Sequence, residues 1–398
     1  MKFALLGADA DLLPLARCVA QAAEHELVAI YDAAPLAEPL RAWAPQAAWA
    51  DSWETLLHGT VADAVMVARG PAAERDDQLR KLVQAAVPLI LVHPACEAIV
   101  GYELDMIRRD TGCVLVPYWP GRLHPALPQV AQMIQAGDNG GLGRIRQVTF
   151  ERRMSETSRQ TVLAQLARDA DFVRSLLGAI HKVHGMGAID AGGGYASFNV
   201  QMFAQDEVLA VWSLMPADKL PADGRLIVQG HRGQVTLTMP PEEERWTVQL
   251  AGAQPRSLTF PQASSVRAAI QLVQDACHHA RPATPTWDEA CRAIEVAESA
   301  ERSRRRGRTE ELYQDIVTEE GTFKGMMAAG GCGLLLLALL VPLAVAVAEG
   351  LRLPFREHPL WRLWPVLLVA PLALFLLLQT LRLLFPTDSG QKPNSPSS

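Results

Sequence analysis

The 398-residue sequence lacks the features that define several protein classes. None of its six cysteines forms a Cys-x-x-Cys pair, and the chain opens directly into an apolar strand without a signal-peptide architecture. Its net charge is −6, and its basic residues do not alternate with aromatic ones along a face. We therefore expect a reducing cytoplasm and no nucleic-acid partner. Residues 277–279, Cys-His-His, predict a polar helix end rather than a metal site, because adjacent helical residues point in different directions.

Two glycines are also missing from a loop where they would be expected. Residues 3–6 predict a buried strand, residues 12–23 a helix and residues 26–31 a second strand, which is the start of a dinucleotide-binding βαβ unit. After Gly7, the second and third places of the Gly-x-Gly-x-x-Gly loop hold Asp9 and Leu12. A carboxylate at this place opposes a phosphate, whereas Asp32 stands where an acidic residue commonly holds the adenosine ribose. We therefore expect weak binding of NAD or NADP.

Residues 1–120 continue to alternate between predicted strands and helices. Strands are predicted at residues 63–68, 88–92 and 113–117, and helices at residues 35–43, 74–86 and 97–109. This pattern predicts a Rossmann-like parallel sheet that is covered on both faces. The ligand crevice should then lie at the carboxyl ends of the strands, near Gly7, Asp32, Ala68, His93 and Tyr118.

Residues 121–310 have a different pattern, which predicts an α+β domain with an open, mostly antiparallel sheet. The predicted strands span residues 145–152, 195–202, 207–214, 225–229, 234–238 and 246–250. Helices predicted at residues 129–135, 169–177, 264–277 and 287–306 would cover one face, the last beginning with a Thr286/Glu289 capping box. The other face would be free for a ligand, a partner or a second copy of the chain.

Four local patterns accompany this order of elements: Asp63-Ala64-Val65-Met66-Val67-Ala68, Arg122-Leu123-His124-Pro125-Ala126, Gly230-His231-Arg232-Gly233-Gln234-Val235 and Trp287-Asp288-Glu289-Ala290. In these patterns the sequence resembles the Gfo/Idh/MocA oxidoreductases, the glucose-fructose oxidoreductase and inositol dehydrogenase family, across about residues 1–310. The resemblance implies a nicotinamide cofactor and a sugar, polyol or related cyclic alcohol as substrate. Gly7, Asp9, Asp32, Ala68 and Pro94 would then lie at the cofactor.

The chain departs from the catalytic pattern that this resemblance implies. Family members carry Glu-Lys-Pro after the fourth strand, where this chain has Val92-His93-Pro94. They also carry an Asp and, four residues later, a general acid/base His, and the matching positions here are Ala164 and Arg168. Ala164 cannot transfer a proton, and an arginine stays protonated.

Four residues remain candidates for the chemistry, each with a structural alternative. His93 is the candidate acid/base, held at the strand end by Pro94, or else a half-buried histidine left at a vacated position. Arg168 is either an anion-binding residue or, as we favour slightly, a solvated arginine at a helix start. Arg122 and His124 would contact a polyol or carboxylate, or else be an ion-paired arginine and a helix-starting His-Pro.

The apolar excess of the chain lies near its C-terminus. Residues 326–348 and 363–381 contain no charged residue, and each is long enough to cross a hydrocarbon core as a helix. They predict a two-helix membrane hairpin within residues 326–385, after a linker at residues 311–325 and before a disordered tail at residues 386–398. Basic residues are more numerous before the hairpin than within its short link, which predicts a two-pass protein of the cytoplasmic membrane with its soluble domain in the cytoplasm.

Two functional hypotheses follow. The one we favour is a membrane-tethered, oxidoreductase-like protein that has lost hydride transfer and acts by binding a ligand or partner. The alternative is an active NAD(P)-dependent dehydrogenase acting on a sugar, polyol or cyclic alcohol. The substitutions at Asp9, Ala164 and Arg168 favour the first, because a fold carries no activity without its site.

Overall fold

The structure is a computed structural model. It describes residues 1–58, 61–137, 142–204, 207–217, 223–240, 245–251, 256–260, 263–279, 284–312, 336–343, 345–347 and 350–351. The chain divides into two compact units, Met1–Tyr313 and Gln314–Ser398. The elements below all belong to the first unit.

The first sheet contains six parallel strands in the order β3-β2-β1-β4-β5-β6. The strands are β1 (Lys2–Leu6), β2 (Glu26–Tyr31), β3 (Ala48–Trp49), β4 (Ala64–Val67), β5 (Leu89–Val92) and β6 (Leu115–Tyr118). The helices between them are α1 (Leu13–Gln21), α2 (Ala37–Trp43), α3 (Ala72–Gln84) and α4 (Ala98–Thr111). Every residue of β4, β5 and β6 is buried, as expected for a sheet covered on both faces. The predicted Rossmann-like sheet is confirmed.

The second sheet contains nine strands in the order β14-β13-β12-β11-β7-β10-β9-β8-β15. They are β7 (Ile145–Met154), β8 (Ile180–Ile189), β9 (Tyr195–Ala204), β10 (Leu209–Pro216), β11 (Asp223–Gly230), β12 (Gln234–Met239), β13 (Trp246–Ala251), β14 (Arg256–Phe260) and β15 (Glu310–Glu311). Among the described strands of this second sheet, only β7 and β10 pair in parallel, so the predicted, mostly antiparallel sheet is confirmed.

Three helices pack with this second sheet: α5 (Ala126–Gln135), α6 (Arg159–Leu177) and α8 (Trp287–Arg306). Helix α7 (Ala263–His279) instead packs on the first sheet, where its Ala269, Ile270 and Val273 join the core beside α1, so the prediction that this helix covers the second sheet was wrong. The capping box of α8 forms as predicted, because the Thr286 side chain accepts from the Glu289 N–H and the Glu289 side chain accepts from Thr286. Helix α6 begins ten residues earlier than predicted, where Ser158 caps it by accepting from the N–H of Thr161. Arg168 therefore lies in the middle of a helix.

Strand β8 was not predicted, and its glycines explain why. Gly185 and Gly187 weaken the strand pattern of this segment, since glycine is unfavourable in a strand interior. In the fold, Gly185 faces α8, and a Cβ atom there would overlap the carbonyl oxygen of Ala300. The glycine is present because the sheet and the helix approach closely at this point.

The described residues include only a small part of the predicted linker and hairpin. The expected linker begins inside the fold, because Glu310 and Glu311 pair with β8 and the N–H of Leu312 donates to the carbonyl of His181 at 2.8 Å. Almost all of the expected hairpin, and the whole of the expected tail, lie outside the described residues. Within the described part of the chain, no helix combines the length and apolarity needed to span a bilayer.

Candidate functional site

The carboxyl ends of the parallel strands meet at one edge of the first sheet, as predicted. Gly7 follows β1 in the left-handed region at φ 87°, and its N–H donates to the carbonyl of Tyr31 at 2.8 Å. Ala68 follows β4, and its N–H donates to Leu6 at 2.9 Å. His93 follows β5, is joined to Pro94 by a cis peptide bond, and donates its N–H to Tyr118 at 2.9 Å. These loops form the crevice in which this fold places a ligand.

The loop after β1 is held by ion pairs rather than left open. Asp9 caps a 3-10 helix (Ala10–Leu12) by accepting from the N–H of Asp11 at 2.9 Å. Arg69 donates to the two carboxylate oxygens of Asp9 at 2.7 and 3.2 Å, and to Asp11 at 2.9 Å. Burial alone would raise the pKa of Asp9, but the hydrogen bonds and charge of Arg69 outweigh it and lower that pKa. The charge of Asp9 is thus neutralised within the chain.

Arg168 extends this network across the crevice. It is buried, so our interpretation of it as a solvated arginine at a helix start was wrong. Its Nε donates to the backbone carbonyl of His93 at 2.8 Å, and its Nη2 forms an ion pair with Asp11. The array formed by Asp9, Arg69, Asp11 and Arg168, here called the crevice array, therefore links the loops after β1, β4 and β5 to α6. It occupies the place where the fold would receive a pyrophosphate, and its residues do not fit that group as they stand.

Asp32 keeps a position suited to a ribose. It directly follows β2 with φ 53°, and its side chain is 60% exposed. The nearest cation is Arg75 on α3, whose Nη2 lies 3.9 Å from the Asp32 carboxylate. The Arg75 guanidinium is buried against Gly7 and Gly70, and this burial lowers its pKa. Asp32 therefore remains available to hydroxyl groups from solvent.

A small recess, with room for about one water molecule, lies beside the crevice array. It brings together two residues that the sequence predicted, His93 and Arg122, with two that it did not, Trp119 and Asp171; the other lining residues are Pro117, Pro285 and Ala290. Arg122 Nε lies 3.3 Å from an oxygen of Asp171. Burial raises the pKa of Asp171 to about 6, although Arg122 and Arg174 oppose the shift. An Asp within the apolar residues of α6 was the sequence signal for this group.

His93 lies at the recess as a neutral ring. Burial, assisted by the Arg168 charge, lowers its pKa to about 3. Its Nε2 atom is buried and has no hydrogen-bond partner among the described residues. A neutral imidazole nitrogen of this kind accepts a hydrogen bond from a hydroxyl group, but a base with such a low pKa is poorly matched to proton abstraction at neutral pH.

The contacts of His124 indicate a structural role rather than a role in the recess. Its ring stacks on Trp246 with centroids 3.9 Å apart, and its Nδ1 accepts from the N–H of Ala126 at 3.2 Å. It is buried and does not line the recess, and burial lowers its pKa to about 4. The described residues contain no group of three or more His, Cys, Asp or Glu side chains placed to hold a metal ion.

Comparisons with known proteins assign the fold. No protein-family model and no curated protein matches the sequence. A protein assigned as a myo-inositol dehydrogenase, from Sinorhizobium meliloti 1021, is 21% identical with a TM-score of 0.64 over 79% of this chain and 100% of its own. An Agrobacterium radiobacter oxidoreductase in complex with NAD+, L-tartaric acid and magnesium is 14% identical, with a TM-score of 0.65 over 78% and 98%. Aldose-aldose oxidoreductase from Caulobacter crescentus, complexed with glycerol, is 15% identical, with a TM-score of 0.66 over 78% and 99%.

These structural neighbours are oxidoreductases of the Gfo/Idh/MocA type. The chain therefore has the two-part fold of such enzymes, which agrees with the resemblance of its sequence motifs. At this level of identity the likeness defines the fold alone, and the activity has to be argued from the site.

Proposed function

We propose that the chain is a membrane-tethered protein of the oxidoreductase fold that has lost hydride transfer and acts by binding a ligand or a partner. The observation that carries the proposal is Arg168, which stands where the resemblance implies a general acid/base. An arginine stays protonated and cannot take a hydroxyl proton. Its contacts with Asp11 and the carbonyl of His93 commit it to the crevice array.

The same array supports weak binding of NAD or NADP. A pyrophosphate entering the crevice would meet the carboxylates of Asp9 and Asp11, and their guanidinium partners are already engaged. Binding would have to break these partly buried ion pairs, which is costly when one partner is left uncompensated. The exposed Asp32 keeps one favourable contact, to a ribose.

Isothermal calorimetry with NAD+ and NADP+ tests this part of the proposal. The unmodified chain should bind weakly, and Asp9→Gly should strengthen binding about tenfold, or about 1.4 kcal/mol, because the change removes a negative charge and frees Arg69 for a phosphate. Asp51→Gly, which removes an exposed carboxylate from another loop, is the control and should leave affinity unchanged. Tight binding by the unmodified chain that Asp9→Gly does not alter would contradict the proposal.

The polar groups at the recess would suit a hydroxyl group of a small, sugar-like ligand. His93 Nε2 is a buried acceptor for a hydroxyl hydrogen, and Arg122 supplies donors beside Asp171. The neighbours described with L-tartaric acid and with glycerol are consistent with this class.

The second candidate function is an active dehydrogenase. It is favoured by the pKa of Asp171 near 6, because a carboxylate with this pKa is a better proton acceptor at neutral pH than the His93 ring, whose pKa is about 3.

A panel of polyols and sugars with both cofactors separates the two candidates. We expect no turnover. If turnover is found, His93→Ala should abolish it under the sequence hypothesis, whereas Asp171→Asn should abolish it if Asp171 is the base. Turnover lost in either variant while the fold is retained would replace the binding proposal with the dehydrogenase.

The anchor is proposed from residues 326–385, with both spans crossing the cytoplasmic membrane and the soluble domain inside the cell. Single cysteines introduced at Glu357 and Ser389 into a cysteine-free background test the orientation. A membrane-impermeant reagent added to intact cells should label position 357 and not position 389. The opposite pattern would reverse the orientation.

A homo-oligomer is the partner that the second sheet favours. Large apolar side chains are exposed on β8 and β10: Met186, Ile189 and Met215. Covering such residues with a second copy removes apolar surface from water. Multi-angle light scattering of the detergent-solubilised chain should give a multiple of the monomer mass, and a monomer at all concentrations would contradict this assignment.

A further inference from the structure

Two glutamates, Glu301 near the end of α8 and Glu310 on β15, each lie close to three arginines. Glu301 is 3% exposed and fixed by the hydroxyl of Tyr195, which donates to it at 2.7 Å. Its carboxylate lies 2.8, 3.4 and 3.6 Å from nitrogen atoms of Arg304, Arg159 and Arg305. The buried carboxylate therefore acts as an anchor that orients three guanidinium groups.

Glu310 repeats the arrangement on β15. Its carboxylate lies 3.2, 3.3 and 4.0 Å from nitrogen atoms of Arg306, Arg308 and Arg302. Strand β15 is held against β8, and the hydroxyl of Ser303 donates to the carbonyl of Arg308 at 2.5 Å. The backbone that carries this second group is thus fixed to the fold. We call the six residues Arg159, Arg302, Arg304, Arg305, Arg306 and Arg308 the arginine cluster.

The arginine cluster carries more positive charge than its two anchors neutralise. Six guanidinium groups share the carboxylates of Glu301 and Glu310, and Arg302 also interacts with Glu298, which leaves an excess of three positive charges in a chain whose net charge is −6. The neighbouring Glu311 lies opposite Lys182 and adds no net charge. Five of the six side chains are between 42% and 67% exposed, and only Arg304 is largely covered. Their remaining N–H donors are accessible from solvent.

We propose that the arginine cluster binds the anionic phosphate headgroups of the membrane to which the chain is anchored. The inference rests on the anchor of the proposed function. From Leu312 to residue 326, where the first apolar segment begins, a fully extended chain spans at most about 50 Å. A cluster tethered so close to a bilayer has a high local concentration of headgroups, and guanidinium groups bind phosphate oxygens in bidentate fashion.

Contact with the bilayer would also set the orientation of the soluble unit. The cluster lies at the β8–β15 edge of the second sheet, whereas β14 forms its opposite edge. Anionic lipid would therefore draw one edge of this sheet toward the membrane and hold the other away from it. This fixed orientation would present the crevice of the first sheet in one direction, instead of letting the unit turn freely on its linker.

Hydrogen exchange of the full chain in lipid nanodiscs tests the inference. One disc contains phosphatidylcholine alone, and the other contains about 30% phosphatidylglycerol to supply anionic charge. Peptides covering residues 301–312 should exchange at least about threefold more slowly in the anionic disc, and about 0.5 M salt should remove the effect by screening. The Arg305→Glu/Arg308→Glu variant should lose it, with unchanged exchange across β7, β9 and β10 to report an intact fold.

The control variant, Arg225→Glu/Arg256→Glu, reverses two exposed arginines on β11 and β14, away from the cluster, and should keep the protection. Equal exchange in both discs would overturn the inference and leave the anchor intact. Protection by a single-stranded RNA but not by phosphatidylglycerol would overturn it in favour of another polyanion. A chain that fails to enter discs would overturn the anchor itself, and this inference with it.

Discussion

Asp169 is the most completely bonded buried charge beside the candidate site. Its two oxygens accept from Arg152 at 2.6 and 3.0 Å, from Gln165 at 2.9 Å and from the indole of Trp212 at 2.8 Å. The side chain is 0% exposed, so every acceptor site depends on the protein. A satisfied buried charge of this kind orders its surroundings, because each lost partner leaves an unpaired group in a medium of low polarity. It fixes α6 against the second sheet, and α6 carries Arg168 and Asp171.

We predict that Asp169→Ala lowers the free energy of unfolding by about 3–5 kcal/mol, because it leaves the buried guanidinium of Arg152 without its carboxylate. Urea unfolding followed by tryptophan fluorescence measures the change. Asp77→Ala is the control, since Asp77 and Lys81 form an exposed pair that contributes little to stability. Equal effects of the two substitutions would show that the buried network does not carry this stability.

The titration of Asp171 makes the free energy of unfolding depend on pH. Burial raises its pKa from 3.8 to about 6, so the folded state favours the protonated carboxyl. The stability that this group contributes is fully present below pH 3.8 and is lost as the pH rises through about 6. A shift of this size corresponds to about 3 kcal/mol at most, as an order of magnitude.

We therefore predict that the unfolding free energy of the unmodified chain, relative to Asp171→Asn, falls between pH 4 and pH 7. The amide does not titrate, so the difference isolates this group, whatever constant offset arises from the lost pairing with Arg122. Urea unfolding of both proteins at half-unit pH steps measures it. Parallel stability curves would mean that Asp171 titrates equally in the folded and unfolded chain.

At the scale of elements, the contact between α8 and β8 depends on one missing side chain. Gly185 on β8 donates its N–H to the hydroxyl of Ser303 at 3.0 Å, and the backbone of Ala300 passes directly over its Cα. An added methyl group would meet backbone, which cannot rotate away. Because the two elements approach so closely, α8 covers the end of the sheet. The last turn of α8 supplies residues of the arginine cluster.

We predict that Gly185→Ala destabilises the fold by at least about 1–3 kcal/mol, because it forces α8 away from β8. Thermal unfolding should show a lower midpoint. Ala188→Ser, at an exposed position of the same strand, should change the midpoint little. A Gly185→Ala protein as stable as the unmodified one would mean that the helix shifts without loss of packing.

At the scale of the whole molecule, the first unit contains both sheets and their hydrophobic cores. The structural neighbours match 78–79% of this chain over 98–100% of their own length, so a fold of about the extent of the first unit can be complete by itself. We predict that truncation after Glu320 releases a soluble protein that unfolds in one cooperative transition, since the apolar excess lies beyond that point. Size-exclusion chromatography and urea unfolding measure this outcome. A truncated chain that precipitates would indicate that the C-terminal segments pack against the fold.

The order of elements could be predicted from the sequence because it depends on local periodicity. Alternating strands and helices predicted the parallel sheet, and the Thr286/Glu289 pattern predicted the start of α8. Strand β8 and the true start of α6 were missed, because their local signals conflict with what packing requires. The glycines of β8 are unfavourable in a strand by themselves, and only the approach of α8 explains them.

The sequence by itself determined the class of fold, the edge where a ligand would lie and the altered residues at that edge, since these follow from hydrophobic pattern and from residue identity. Only the tertiary structure decided what those residues do. Asp11, Arg69 and Arg168 are far apart in the chain, and folding brings their charges together into the crevice array. Burial then decided the protonation of His93 and Asp171, because the cost of removing a charge from water depends on the surroundings that the whole fold creates.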